Sequence, residues 1–133
     1  MEVVIAVFIT TVAVMAIFAL VAPAWRTTSR SDNLGRAANI LHDQLQTQES
    51  LITNPCNAVA VGATGPLNVF SSGSLAAQSG DTQFNVTRTI TNIATNAWRI
   101  TVRVTWPGSA GIVGTLEVNR QNDYSFPDGC TPL

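Results

Sequence analysis

The sequence predicts an α+β fold: one long N-terminal helix, apolar in its first half and amphipathic in its second, packed on a small antiparallel β-sheet. Three observations predict it. Residues 3–22 form a charge-free apolar run, residues 34–52 carry an apolar stripe at helical spacing, and residues 98–106 alternate with period two. At 133 residues the chain makes one domain, or one small domain with an appendage, since domains usually run to about 100–150 residues. Apolar residues are 46% of the chain but charged residues only 11%, against roughly 25% in a typical soluble protein. Charge this sparse suits a chain that lives partly in lipid or packs against copies of itself. The net charge is −1 and all seven cations are Arg, which gives no clustered cationic face for nucleic acid. One His and two distant Cys exclude a zinc cluster within a single chain.

The first element is the run Val3–Ala22, twenty residues in which only Thr10 and Thr11 are polar. A helix of that length spans about 30 Å, the hydrocarbon thickness of a bilayer, so residues 1–24 are expected to form a transmembrane segment. A cleaved signal peptide fits less well, because Met1-Glu2 is acidic where such peptides are basic. A buried helix of a soluble protein fits less well still: the remaining chain could hardly wrap a helix that is apolar on every side.

Residues 25–133 are expected to form the globular domain. Pro23 removes one backbone donor and frees a carbonyl four residues earlier, which kinks a helix without ending it. Beyond Trp25 the apolar stripe runs Leu34, Ala38, Leu41, Leu45 and Ile52, with Asp32, Arg36, Asp43, Gln44 and Glu49 off it. Asn54-Pro55 stops the helix, since a residue before proline is driven out of the helical region. The helix therefore covers about residues 2–53, roughly 75 Å if straight, and its amphipathic part, about 25–53, must lie on something.

Residues 54–82 are rich in Gly, Ser, Ala and Asn and read as a loop with at most short strands at Val59–Val61 and Leu67–Phe70. Three strands are expected within 83–119. Phe84, Val86 and Ile90 alternate with Asn85, Thr87 and Thr89. Trp98, Ile100, Val102, Val104 and Trp106 then oppose Arg99, Thr101, Arg103 and Thr105, and Ile112, Leu116 and Val118 follow. Pro107–Gly111 supplies the turn before the last strand. The tail, 120–133, holds Pro127, Gly129 and Pro132 and is expected to be irregular.

Two topology signals conflict. The first cations after the apolar run are Arg26, Arg30 and Arg36, which by the positive-inside rule keep the C-terminal part cytoplasmic. Cys56 and Cys130 frame that part, and an even pair at the borders of a small domain suggests a disulfide made in an oxidising compartment. Such a bridge would close 74 residues, worth roughly 4 kcal/mol of chain entropy. The other reading is a pair of free thiols. Both signals hold if a basic leader once preceded Met1, so the sequence is expected to be a processed or truncated form.

A charge-free run headed by a glutamate, a proline about twenty residues later, an amphipathic continuation and then a small antiparallel sheet resembles the type IV pilin superfamily. Glu2-Val3-Val4-Ile5-Ala6-Val7-Phe8-Ile9 is similar to the stretch that follows the start of mature pilins and type II secretion pseudopilins. Met1 then falls on the fourth mature residue, Glu2 on the family's glutamate, and Pro23 close to its kinking proline. The strand Trp98–Trp106 is similar to the sheet of minor pilins. The resemblance is specific over residues 1–53 and weak beyond, and the leader glycine and first mature residues are missing.

The resemblance implies a structural subunit, a minor pilin, held in the bacterial inner membrane as a single-pass protein with its C-terminal domain periplasmic. It also implies assembly into a cell-surface pilus fibre. Its partners would be other pilin subunits through the N-terminal helix, the inner-membrane assembly machinery, the lipid bilayer and, given an upstream leader, the prepilin peptidase. Glu2 would pair with the terminal amine of a neighbouring subunit and set the stagger of assembly. The alternatives are a type II secretion pseudopilin and a non-polymerising single-pass protein with a periplasmic binding domain.

No residues point to catalysis, a metal or a cofactor. His42 lies on the helix beside Leu41 and Leu45 and reads as a solvated or packed residue. Ser71-Ser72-Gly73-Ser74 has no phosphate-binding signature, and the sequon Asn85-Val86-Thr87 falls in an expected strand. Arg99 and Arg103 share one outward strand face, which is an ordinary solvated surface.

Overall fold

A 52-residue helix, α1, runs from Glu2 to Thr53 and stops where Asn54-Pro55 forbids its continuation. Pro23 lies inside it and does not end it. Four strands follow: β1 (Gly62–Phe70), β2 (Gln83–Ala94), β3 (Ala97–Thr105) and β4 (Ile112–Asn119). They form one antiparallel sheet in the order β1-β2-β3-β4. The computed structural model describes residues 2–72 and 76–120. The chain divides into two compact units, Met1–Gly35 and Arg36–Leu133. The expected tail and Cys130 lie outside the described residues.

Within the second unit, the inward side chains of the sheet meet the last five turns of α1. Phe84, Ile100, Val102 and Val104 are fully buried, with Val86, Ile90, Trp98 and Val118 nearly so. Ala37 and Ile52 are the helix's own buried apolar residues, and Ile40, Leu41 and Leu45 pack on the same cluster. Cross-strand register builds this core in rows: Val86 faces Val104, Ile90 faces Ile100, and Trp98 faces Val118. The helix lies close over β4 at Gly114, where an added Cβ would fall 2.7 Å from Leu41 Cδ2 and 3.1 Å from Leu45 Cδ1. A glycine is what lets the helix approach there.

The helix terminus is finished by side chains from elsewhere. Four C-terminal carbonyls of any helix lack intrahelical partners. Here Asn57 Nδ2 donates to the Leu51 carbonyl at 3.0 Å and Arg120 Nε donates to the Ile52 carbonyl at 2.7 Å. Arg120 also donates to the Asn57 carbonyl at 3.0 Å, and its guanidinium sits 5.1 Å from the centre of the Trp98 ring. The last turn carries no basic residue of its own, so a cation 68 positions away in sequence does the work.

Two expectations are corrected. Residues 54–82, read as a loop with at most short strands, contain the nine-residue strand β1, and the sheet has four strands where three were expected. Gly62, Gly65 and Pro66 disguise it. The β1–β2 register shifts between Thr64 and Leu67, and a bulge on an edge strand is where glycine and proline are tolerated. Gly65 has φ +130°, and a Cβ there would lie 2.8 Å from the Val86 carbonyl.

Second, the buried face of α1 keeps only part of the expected stripe: Leu41 and Leu45 are half-buried and Ile52 is buried, as expected. Leu34 and Ala38 are exposed while Ala37 is fully buried, and Gln44, expected off the stripe, is half-buried. The face also includes Gln48, which is only 5% exposed. On α1 the covered residues described are Asn33 and those from Ala37 onward, and Trp25 is 72% exposed.

Candidate functional site

The candidate site is the surface of residues 2–35, taken as a unit in itself. Val3, Phe8, Phe18, Leu20 and Trp25 are each about 70% exposed or more, and every other described side chain of this stretch is exposed except half-buried Asn33. The helix is long and apolar enough to cross a membrane. Soluble monomers rarely show a contiguous apolar patch above a few hundred Å² unless it is an interaction site.

Energetics say what kind of surface this is. The run Val3–Ala22 is dominated by β-branched Val, Ile and Thr, which lose rotamer freedom in a helix and are modest helix formers in water. In lipid or in a bundle of apolar helices the preference reverses, because each backbone donor must be satisfied within the segment. The twelve Val, Ile, Leu and Phe side chains of the run, at roughly −0.3 to −0.6 kcal/mol each near a bilayer centre, favour insertion by about 5 kcal/mol.

The polar groups of the run are satisfied locally. Thr10 Oγ1 donates to the Ala6 carbonyl at 2.8 Å and Thr11 Oγ1 to the Val7 carbonyl. Past the proline, Thr27 Oγ1 donates to the Pro23 carbonyl at 2.9 Å and Thr28 Oγ1 to the Ala24 carbonyl at 3.0 Å. Both hydroxyls of the run, Thr10 and Thr11, are thus bonded to the helix's own carbonyls, which makes the run compatible with an apolar surrounding. Glu2 stands exposed in the first turn, where a carboxylate meets the positive end of the helix dipole.

The remaining sequence-derived residues fall elsewhere. Cys56 follows the helix end, and its backbone N–H donates to Asn54 Oδ1 at 2.9 Å. It is disulfide-bonded, and Cys130, the expected partner, lies outside the described residues. His42 is exposed on α1. Arg36 Nη1 donates to the Ser71 carbonyl at 3.0 Å. On the outward face of the sheet Arg99 pairs with Glu117 at 2.8 Å, and Arg103 Nη2 donates to the Ala110 carbonyl at 3.1 Å. Both strand arginines are therefore engaged within the chain. Among the described residues no group of three or more His, Cys, Asp and Glu is placed to hold a metal ion.

Sequence reading missed one position. In β2 the expected inward alternation was Phe84, Val86 and Ile90, and Arg88 occupies the inward place between the last two. Its register partners are Thr64 on β1 and Val102 on β3. The signal was available: a cation standing in the apolar phase of a strand. Arg88 borders a cavity of about 440 Å³ between the end of α1, residues 56–60 and β2. Comparison with protein-family models, with curated proteins and with solved structures gave no match.

Proposed function

We propose that this chain is a structural subunit of a type IV pilus, a minor pilin, stored in the bacterial inner membrane and assembled into a fibre through its N-terminal helix. One observation carries the reading. A helix headed by Glu2 is apolar for twenty residues, with its described side chains there exposed, then continues without a break into a half that packs on an antiparallel sheet. Such a helix serves two surroundings in turn. In the bilayer its side chains contact lipid, and in a fibre the same side chains contact neighbouring helices, with similar apolar contacts in both.

Leaving lipid forfeits those contacts before neighbours replace them, so a dedicated inner-membrane machine is implied. Glu2 has the charge to pair with the terminal amine of an adjacent subunit, because a carboxylate carried into an apolar bundle needs a partner. In this reading the domain from Arg36 onward is periplasmic, and a prepilin peptidase would act on a leader upstream of Met1.

Intact mass and N-terminal sequencing of the protein from its native membranes test the proposal. An N-methylated residue a few positions upstream of Met1 is expected, while an unmodified or formylated Met1 overturns it. Glu2→Ala should be excluded from fibres, and its incorporation at the wild-type level would remove the assembly role. A type II secretion pseudopilin shares all these features and differs in the machine that assembles it. A non-polymerising membrane protein with a periplasmic binding domain is favoured by a different observation, the cavity beside Arg88.

A further inference from the structure

We propose that the cavity bordered by the end of α1, residues 56–60 and β2 binds a carboxylate carried on a small apolar body, with Arg88 as the anion-binding group. The inference goes beyond the fibre reading and does not depend on it.

Arg88 is misplaced for a structural cation. It occupies an inward position of β2, between buried Val86 and Ile90, where a strand on one-sided sheet packing carries apolar residues. Its Nε is buried without a hydrogen-bond partner, and its guanidinium makes no hydrogen bond or ion pair with another described residue. Buried donors in native proteins are nearly always satisfied, and an orphan calls for a specific explanation. Arg99, Arg103 and Arg120, by contrast, each have a partner within the chain.

The cavity supplies what the orphan lacks. Its volume, about 440 Å³, lies within the roughly 300–1,000 Å³ range of small-molecule sites. Among the described residues no acidic side chain lines it, so none of these competes for Arg88. Leu51, Ile52, Val59 and Ile90 give it an apolar wall, and Gln48, buried to 5% exposure, adds an amide. Arg120 stands at its border, holding the carbonyls of two lining residues, Ile52 and Asn57, and adds positive potential without spending its own hydrogen bonds on the cavity.

A planar guanidinium fork matches a carboxylate in two parallel hydrogen bonds. One cation with an apolar wall selects a singly charged, partly hydrophobic acid over a phosphate dianion. Two sources present that chemistry: a free short-chain carboxylic acid, and a peptide ending in Val or Leu with a free C-terminus.

The test uses the full chain in lipid nanodiscs, uniformly labelled with ¹⁵N, and follows the Arg Nε–Hε signals, with that of Arg88 identified by its loss in Arg88→Gln. The probes are hexanoate and acetyl-Val-Leu as the free acid, with hexanamide and acetyl-Val-Leu-amide as neutral counterparts. At least one acid should shift the Arg88 signal saturably, and its amide should bind at least roughly tenfold more weakly. The acid that binds more tightly identifies the source. Failure of both acids to shift the signal, or equal binding of acid and amide, overturns the proposal. Backbone signals of the Cys56–Ala60 segment should respond to the acid in the wild type and not in Arg88→Gln. Should Arg88→Gln fail to fold, Val59→Trp, which fills the cavity and keeps the arginine, should abolish the shift. Retention of the shift in Val59→Trp overturns the site.

Discussion

The two ends of α1 belong to one uninterrupted helix and obey opposite rules. From Val3 to Trp25 nearly every residue is apolar, and none of the described side chains is buried. From Arg36 to Thr53 the sequence is mostly polar, and yet Ala37, Gln48 and Ile52 are buried. Burial in this protein follows the partner that the chain provides and not the hydropathy of the segment. The sheet supplies an apolar face for the second half, so even a glutamine is covered there. The described side chains of the first half are exposed, an apolar surface of the kind that lipid or other helices would cover in the proposed reading.

If the division is real, substitutions in the two halves should fail in different assays. The largest expected effect is in the sheet core. Ile100→Ala removes a fully buried side chain in the middle of β3 and should destabilise the domain by about 2–5 kcal/mol, read as a lower thermal midpoint by near-ultraviolet circular dichroism. Its membrane association should be unchanged. Val12→Asp should do the reverse. A carboxylate at the centre of the apolar run weakens insertion by about 3 kcal/mol, measured as loss from the carbonate-resistant membrane fraction, while the domain melts as in the wild type. A lowered melting temperature for Val12→Asp would erase the distinction between the halves.

A third substitution sharpens the boundary. Gly114→Val places a side chain where Leu41 and Leu45 already stand, at 2.7 and 3.1 Å from the new Cβ. Overpacking of this kind costs about 1–3 kcal/mol, and the shift should be felt by Leu41 and Leu45 methyl signals and not by those of Val12 or Ile17. The smallest effect concerns the connection between β1 and β2. Asp81 accepts hydrogen bonds from Ser72 Oγ at 2.7 Å, Gln78 N at 3.0 Å and Ser71 Oγ at 2.9 Å. These donors, the Ser72 hydroxyl first, hold its carboxyl below the usual carboxylate value.

A depressed folded value means that the contribution is fully present above the unfolded-state value of about 3.9. It is lost as the pH falls through the folded value. Amide exchange of Gln78 and Thr82, extrapolated for intrinsic rate, should therefore quicken below about pH 4 and be flat above it. Asp81→Asn should flatten the whole profile.

Patterns confined to neighbouring residues were readable in advance. The helix stop at Asn54-Pro55, the alternation of β3 and the turn from Pro107 to Gly111 all follow from local backbone chemistry and side-chain period, and each stands where it was expected. Features set by a distant partner were not. β1 was hidden because glycine and proline are breakers by local rule, and only pairing with β2 makes a bulged edge strand of them. The buried face of α1 departs from its apolar stripe at Leu34 and Ala38, which are exposed, and at Gln44 and Gln48, which are covered, because packing on the sheet and not hydropathy decides what is covered.

By itself, then, the sequence determined a helix apolar on every side over residues 3–22, an amphipathic continuation and an antiparallel sheet, since an unbroken apolar run and periodicities of about four and of two are all local patterns. The tertiary structure decided which residues of the second half are covered, that Arg120 completes the helix end from 68 positions away, and that Arg88 Nε lies buried beside a cavity without a hydrogen-bond partner among the described residues. Those outcomes depend on which side chains the register and the close approach at Gly114 bring together, and no local pattern in the chain encodes such a meeting.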